Sequence, residues 1–425
     1  MTGDAVRTGE QLVEALLAEA SPTLAPVLER AVTGRVPTVQ EAESLLAARG
    51  RDLLALVAVA DHVRRVQVGD AVSYVVNRNI NFTNVCVMSC KFCAFSRTRR
   101  SSEGYYLDTA EIIRRAREAQ DLGATELCIQ AGLPPDPPNN LYIDLIVALK
   151  AAVPNLHLHA LSPEEIKYGA GLRGLPVAEF LAEAKAAGLG SVPGTSAEIL
   201  DDSVRKRLAG SRISTDEWIE VITSAHRVGL PTTATIMYGH VDTPGDWARH
   251  LELLRRLQLE SGGFTEFVPL SFVHSEAPLH VKRMLPGVRP GPSGDDAIRM
   301  IAVSRLVLGD SFRNIQTSWV KEGIRLSQWL LACGANDLGG TLINESISLA
   351  AGAGHGQLQS PADLRRVIRD AGRLPVQRNT RYEPVRTFSA DGDDDPCEAL
   401  DGVDDPDARF GSYHQLTKRA ARGRA

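Results

Sequence analysis

At 425 residues, with 44% hydrophobic and 23% charged side chains, the chain carries enough apolar material for a large core, better met by one β/α barrel with appendages than by several small domains. Its net charge of −5 excludes a general nucleic-acid or anionic-membrane binder, since either needs a basic face, and points to a small-molecule substrate. No run approaches the roughly 18 apolar residues of a membrane span, and Met1-Thr2-Gly3-Asp4 lacks the basic start of a secretory signal, so a cytoplasmic location with reduced thiols is expected.

Residues 1–70 read as a helical extension. Apolar side chains recur at helical spacing in Leu12-Val13-Leu16-Leu17, in Val39-Ala42-Leu45-Leu46 and in Leu53-Leu54-Val57-Ala60-Val63, with Thr38 and Glu41 placed as a capping box. Such a cap could shield a reactive centre or plug the bottom of a barrel, and plain packing is the simpler expectation. Residues 71–388 form the expected core. From residue 79, short apolar stretches alternate with amphipathic ones, the rhythm of parallel β/α units. Strands are predicted at 79–84, 125–130, 156–160, 189–192, 232–237, 264–270, 314–318 and 333–338. Helices fall between them at 108–122, 140–152, 176–187, 214–228, 245–260, 295–309 and 319–331, with Asp108 and Ser214 as caps. Eight units make a complete barrel, in which reactive groups gather where strands end.

The first such end carries half of the six cysteines. Cys86, Cys90 and Cys93 follow CxxxCxxC, which lets one loop turn three thiolates toward a common point, as an iron-sulfur cluster requires. Three ligands leave one metal corner open for chemistry. A zinc loop completed by a distant His or Asp is the competing reading, and with it a non-catalytic binding barrel. Cys128, Cys333 and Cys397 are scattered and read as packing or tail residues.

Later strand ends supply further candidates. Gln130 and Gly132 lie in a tight βα turn. His157 and His159 share one side of their strand, and His159, at the strand's mouth, is a candidate for hydrogen bonding or proton transfer to substrate. Glu165 opens a helix behind Ser162 and is a second, acidic candidate. Thr195 and Glu198 match a capping box whose exposed amides could hold an anionic group. Tyr238 and His240 put aromatic and polar groups at one more strand end, and Gln316, Trp319, Asn336 and Asp337 stand at the last two, where Trp319, Gln316 and Asn336 could pack against and hydrogen-bond a planar heterocycle. Residues 389–425 turn acidic and then basic and are poor in apolar side chains, so a disordered and dispensable tail is expected.

The strand, the CxxxCxxC loop with Phe92 in its aromatic place, and the β/α rhythm together resemble the radical S-adenosylmethionine (SAM) superfamily. The resemblance implies an α/β fold, a TIM-type (β/α) barrel, with a 4Fe-4S cluster on Cys86, Cys90 and Cys93. It also implies SAM bound near Phe92, Gln130, Gly132, Thr195 and Glu198. From about residue 75 to 388 the chain resembles more narrowly the CofH-type family of deazaflavin (coenzyme F420) biosynthesis. That likeness rests on His159-Ala160-Leu161-Ser162-Pro163, Gly190-Ser191-Val192-Pro193-Gly194-Thr195, Ile236-Met237-Tyr238-Gly239-His240, Phe267-Val268-Pro269-Leu270, Asn314-Ile315-Gln316 and Gly334-Ala335-Asn336-Asp337. It implies a transferase that cleaves L-tyrosine at Cα–Cβ and adds the 4-hydroxybenzyl group to 5-amino-6-(D-ribitylamino)uracil. His159, Glu165 and Gln316 would then be catalytic, with Tyr238, His240, Trp319, Asn336 and Asp337 at the substrates. A CofG-type FO synthase subunit and an electron donor such as ferredoxin or flavodoxin are the implied partners. The futalosine-route menaquinone enzymes, aminofutalosine synthase and dehypoxanthine futalosine cyclase, are the nearest alternative.

Overall fold

The computed structural model describes residues 2–393 and 395–423. Its strands are β1 (Ala71–Val75), β2 (Asn77–Ile80), β3 (Glu126–Ile129), β4 (His157–Ala160), β5 (Thr232–Tyr238), β6 (Phe264–Ser271), β7 (Asp337–Gly340), β8 (Leu374–Arg378) and β9 (Pro384–Thr387). β1 and β2 are successive halves of one wall segment, pairing in parallel with β7 and β3 respectively. β3 pairs with β4, and β5 with β6. Parallel bridges His159–Ser191 and Val192–Thr232 join β4 to β5, while Phe267–Ile315 and Gln316–Asp337 join β6 to β7. The ring therefore closes as an all-parallel barrel of eight wall segments, and closure removes the open edges that an isolated sheet would expose.

Two expected strands, 189–192 and 314–318, survive only as these bridges. Pro193 cannot donate to a ladder, which limits the first of them. The first strand begins earlier than expected, at Ala71, and leaves the sheet after Ile80. Thr83 bridges to Tyr106 instead, and the Asn84 carboxamide accepts from the Tyr105 amide (2.8 Å). The last expected strand starts later, at Asp337, because Leu331–Cys333 forms a 3-10 turn that ends at Gly334 with φ 117°. The outer helices fall close to expectation, although the one expected over 319–331 is broken at Gly323.

The N-terminal helices are α1 (Thr2–Glu19), α2 (Ala25–Val32), α3 (Val39–Leu46) and α4 (Arg51–Val68). The Thr38–Glu41 capping box forms as the sequence indicates. α3 packs on the helix Pro244–Ser261 and α4 on Gly294–Leu308, so the extension braces the outer wall, and none of its described residues lines the barrel cavity as a plug would. That plug comes from the other end of the chain. β8 pairs in parallel with β1, β9 returns antiparallel, and the turn between them places Arg378 and Thr380 in the barrel lumen.

The acidic tail corrects the expectation of disorder. Residues 399–402 form a 3-10 turn, and Pro406–Phe410 and Tyr413–Gly423 are helices. Composition misleads because the acids are spent on partners: Asp395 and Glu398 pair with buried Arg365 (2.8 and 2.6 Å), and Asp405 caps its helix through the Ala408 amide. Phe410 is buried beneath the Arg78 guanidinium, and Tyr413 is buried 5.6 Å from Phe95, two residues beyond the cysteine loop. Residues 424–425, the end of the basic stretch, lie outside the described residues. Deleting residues 391–425 is accordingly expected to destabilise the protein by at least ~3 kcal/mol, from the lost burial of Leu400, Phe410 and Tyr413 and an unpaired Arg365. Unchanged thermal unfolding of the truncated chain would refute the docking.

Candidate functional site

A cavity of about 410 Å³ occupies the barrel lumen, within the range of small-molecule sites. It runs from the cysteine loop to the β8–β9 turn.

Main-chain bonds fix the cysteine loop. The Cys86 amide donates to Arg97 O (3.0 Å), Val87 to Leu133 O (2.8 Å) and Lys91 to Leu208 O (3.1 Å). A Cβ at Gly132 would stand 2.5 Å from Val85 O, so only glycine lets the 130–133 turn press against the loop. All three cysteines are free, partly buried and on the cavity wall. Burial raises the Cys86 thiol pKa and carries that of Cys90 to about 12, and Cys93 repels both, so the three sit close enough to feel one another's charge. Among the described residues no three His, Cys, Asp or Glu side chains close on a single ion. A multi-iron cluster is a larger body, bound by thiolates that surround it, and a close-set thiol triad on a cavity wall suits it.

Beside the loop, Arg212 lies 5.7 Å from the Phe92 ring centroid and pairs with Glu164 (2.9 Å) and Glu198. Glu198 has φ 41° and Ser196 φ 64°, so the expected Thr195–Glu198 capping box does not form. The next helix starts instead at Asp202 with Asp201 as its cap. Thr195 donates to Gln130 Oε1 (2.8 Å), and the Gln130 carbonyl accepts from Asn81 (2.7 Å). Glu165 completes a capping box with Ser162 and also accepts from the Ala131 amide (3.1 Å), tying its helix to the 130–132 turn. Burial pushes its pKa up to about 7 against those hydrogen bonds.

Deeper in the lumen, His157 Nε2 and His159 Nδ1 both reach Ser191 Oγ at 2.7 Å, as their shared side of the strand requires. Burial lowers the His159 pKa, with Glu126 pulling it back in part. At the floor, Arg378 binds Asp337 (2.5 and 3.1 Å) and approaches Glu266 (3.4 Å), which also accepts from the Tyr382 hydroxyl. Asn77 donates to Glu126 (2.9 Å). Burial drives the Glu266 pKa well up, with Arg378 opposing.

The three cysteines, Phe92, Gln130, Gly132, His159, Glu165, Thr195, Glu198 and Gln316 all line the cavity. The other five sequence candidates do not, each for a visible reason. Tyr238 is buried edge-on against Trp247 (5.3 Å between centroids). His240 is fully buried in its own turn, bonded to Met237 O (2.9 Å) and the Val241 amide (2.7 Å). Trp319 is buried with its indole N–H on Gly340 O (2.8 Å). Asn336 is held by Arg305 (2.8 Å) and the Ile315 amide (2.9 Å). Asp337 is buried beneath the floor, where it anchors Arg378. Sequence reasoning passed over Glu126, Glu266, Lys321, Glu345 and Arg378, all of which line the cavity. Glu126 and Glu266 each left a signal, as the one charged residue within the strands Glu126–Ile129 and Phe264–Ser271.

An eight-segment parallel barrel with a close-set cysteine triad at its strand ends is the radical SAM architecture, and the superfamily's profile matches residues 80–254. The fold is shared with the FeFe-hydrogenase maturase HydG from Carboxydothermus hydrogenoformans (TM-score 0.65, 15% identity, 89% of this chain and 85% of that one). It is shared also with methylornithine synthase (PylB; TM-score 0.58, 20% identity, 81% and 95%). The chain is a radical SAM enzyme, of a superfamily that works with a 4Fe-4S cluster and SAM. A second profile, the CofH/MqnC C-terminal region, matches residues 261–390. The 5-amino-6-(D-ribitylamino)uracil--L-tyrosine 4-hydroxyphenyl transferase of Methanothermobacter thermautotrophicus is 48% identical over 359 residues, 84% of this chain and 97% of the relative. That of Methanopyrus kandleri is 47% identical over 351 residues, 82% and 94%. FO synthase of Streptomyces avermitilis is 48% identical over 348 residues, 82% of this chain but 40% of that longer protein. Within the superfamily the chain belongs to the CofH family. No helix among the described residues is long and apolar enough to cross a membrane.

Proposed function

We propose that this chain cleaves L-tyrosine at Cα–Cβ and joins the 4-hydroxybenzyl group to 5-amino-6-(D-ribitylamino)uracil, a step toward the deazaflavin FO. The near full-length likeness to the methanogen transferases carries this reading. Cys86, Cys90 and Cys93 would hold the cluster, with Phe92, Gln130, Gly132, Thr195 and Glu198 forming the wall for SAM. Bound there, the two supply a 5'-deoxyadenosyl radical. The protein's own part is to exclude bulk water, orient both substrates and manage protons. His159, kept neutral by burial and fixed through Nδ1 to Ser191, has Nε2 left to exchange a proton with substrate. Gln316 offers a carboxamide donor and acceptor to a heterocycle in the same lumen. Glu165, which ties the Ala131 amide to the start of the Ser162 helix, acts by positioning the 130–132 turn. The floor of Asn77, Glu126, Glu266 and Arg378 supplies polar partners for the hydroxyl-rich acceptor. A CofG-type subunit would take the product onward, and a ferredoxin or flavodoxin in the cytoplasm would supply electrons.

An anaerobic reaction of reconstituted enzyme with dithionite, SAM, L-tyrosine and the aminouracil, read by mass spectrometry, tests the proposal. A hydroxybenzyl adduct of the uracil together with 5'-deoxyadenosine is the expected result. 5'-Deoxyadenosine without adduct would remove these substrates and move the chain toward its futalosine-route relatives.

A further inference from the structure

Three cations line the cavity, and two of them are already neutralised. Arg212 is paired with Glu164 and Glu198, and Arg378 with Asp337 and Glu266. Lys321 differs. Among the described residues no carboxylate lies within ion-pair distance of its ammonium, which donates to Ser348 Oγ (2.9 Å). An ammonium has three donors, so two remain for something else. Enclosed cations without a partner are costly, and a fold keeps one where a ligand anion will complete it.

The surroundings say what kind of anion. Glu345 lines the same stretch of wall and accepts the amides of Ile347 (3.1 Å) and Ser348 (2.9 Å). Glu322 is held by the Ser271 hydroxyl. Both acids attract Lys321 without touching it, and burial lowers the Lys321 pKa against that pull. A cation and an acid held a short way apart in an enclosed site suit a zwitterion, the head group of a free α-amino acid. Beside them Val268, Leu270, Val320 and Leu342 give the cavity an apolar wall that a ring can lie against.

We infer that Lys321 and Ser348 bind the carboxylate of the amino-acid substrate and that Glu345 receives its ammonium group, with the side chain laid along the apolar wall. The inference rests on the substrate reading above and adds the residues that recognise the amino acid. It also explains why Lys321 is not paired internally, since an ion pair would have to be broken at every binding event.

Equilibrium binding to the anaerobically reconstituted, SAM-loaded enzyme without reductant tests it, using L-tyrosine and tyramine, which lacks the carboxylate. Wild-type enzyme is expected to prefer L-tyrosine, and Lys321→Gln to weaken L-tyrosine by about tenfold or more while leaving tyramine and SAM unchanged, a charge-assisted hydrogen bond being lost. Lys321→Arg should restore part of the preference. An unchanged ratio of L-tyrosine to tyramine affinity in Lys321→Gln overturns the assignment, as does a matching loss of SAM binding, which would place Lys321 at SAM's own amino-acid group. Wild-type enzyme that binds SAM but not L-tyrosine would instead overturn the substrate reading, and this inference with it.

Discussion

Alanine at any one of Cys86, Cys90 or Cys93 is expected to reduce iron-sulfur absorbance, SAM cleavage and adduct formation to background, while the protein still folds. The fold should survive because the loop is held by main-chain bonds that no thiol makes: Cys86 N to Arg97 O, Val87 N to Leu133 O and Lys91 N to Leu208 O. What is lost is one of three anchors, and two thiolates do not retain a cluster that already lacks a fourth protein ligand. Cys333→Ala is the matched control. That thiol is fully buried, its pKa pushed up to about 12 by burial, and it donates to Trp329 O (3.4 Å), far from thiolate behaviour. Iron content per chain should therefore fall to background in the triad variants and stay at the wild-type level in Cys333→Ala. A triad variant with normal iron and turnover would end the cluster assignment. Wild-type protein that holds zinc and no iron after anaerobic purification would do the same.

The triad and the barrel rhythm were legible in the sequence because each is local: three cysteines in one loop, and apolar stretches alternating with amphipathic ones. Which strand-end residues face the lumen was much less so. Trp319, Tyr238 and His240 do stand at strand ends, yet their side chains turn into the wall or into their own turns, because position at a strand end fixes height along the barrel and not direction around it, while Asn336 precedes β7, whose late start leaves it at the opposite end. His157 and His159 were placed correctly, since alternation along a strand does fix direction. Thr195 and Glu198 have the spacing of a capping box, but the left-handed backbone at Ser196 and Glu198 and the pull of Arg212 override it. The acidic tail looked unable to pack because composition counts charges without seeing Arg365 and Arg369 waiting opposite them. Arg378 is the hardest case. It reaches the floor only because a hairpin near the end of the chain pairs with β1 near its start, and no window of sequence contains both.

Replacing Arg378 by Met, of similar length and no charge, is expected to cost about 3–5 kcal/mol of stability at pH 8. Arg378 is 3% exposed and its guanidinium stands between Asp337 and Glu266, with Cζ 3.9 Å from the Tyr382 ring centroid. It also attracts Glu126, so one cation serves three buried acids. Removing it leaves them facing one another. The pH dependence carries a sign that separates this account from a simple packing defect. Burial raises the Glu266 pKa and Arg378 lowers it; for Glu126, burial opposes the charge, and His159, Asn77 and Arg378 outweigh it. Without Arg378 both folded-state pKa values move up. A carboxyl whose folded pKa lies above its unfolded value favours the fold while protonated and loses that contribution as pH rises through the folded pKa. The deficit of Arg378→Met against wild type should therefore be largest at pH 8 and shrink toward pH 5, as the acids take up protons and cease to repel. Adding Asp337→Asn should recover part of the loss at pH 8, since the two sites are in contact and their effects should not add. Thermal unfolding of the single and double variants across pH 5–8 reads both effects. A deficit independent of pH would mean that Arg378 serves the floor by its bulk alone, and no deficit at all would mean that the three acids are held by water and by one another.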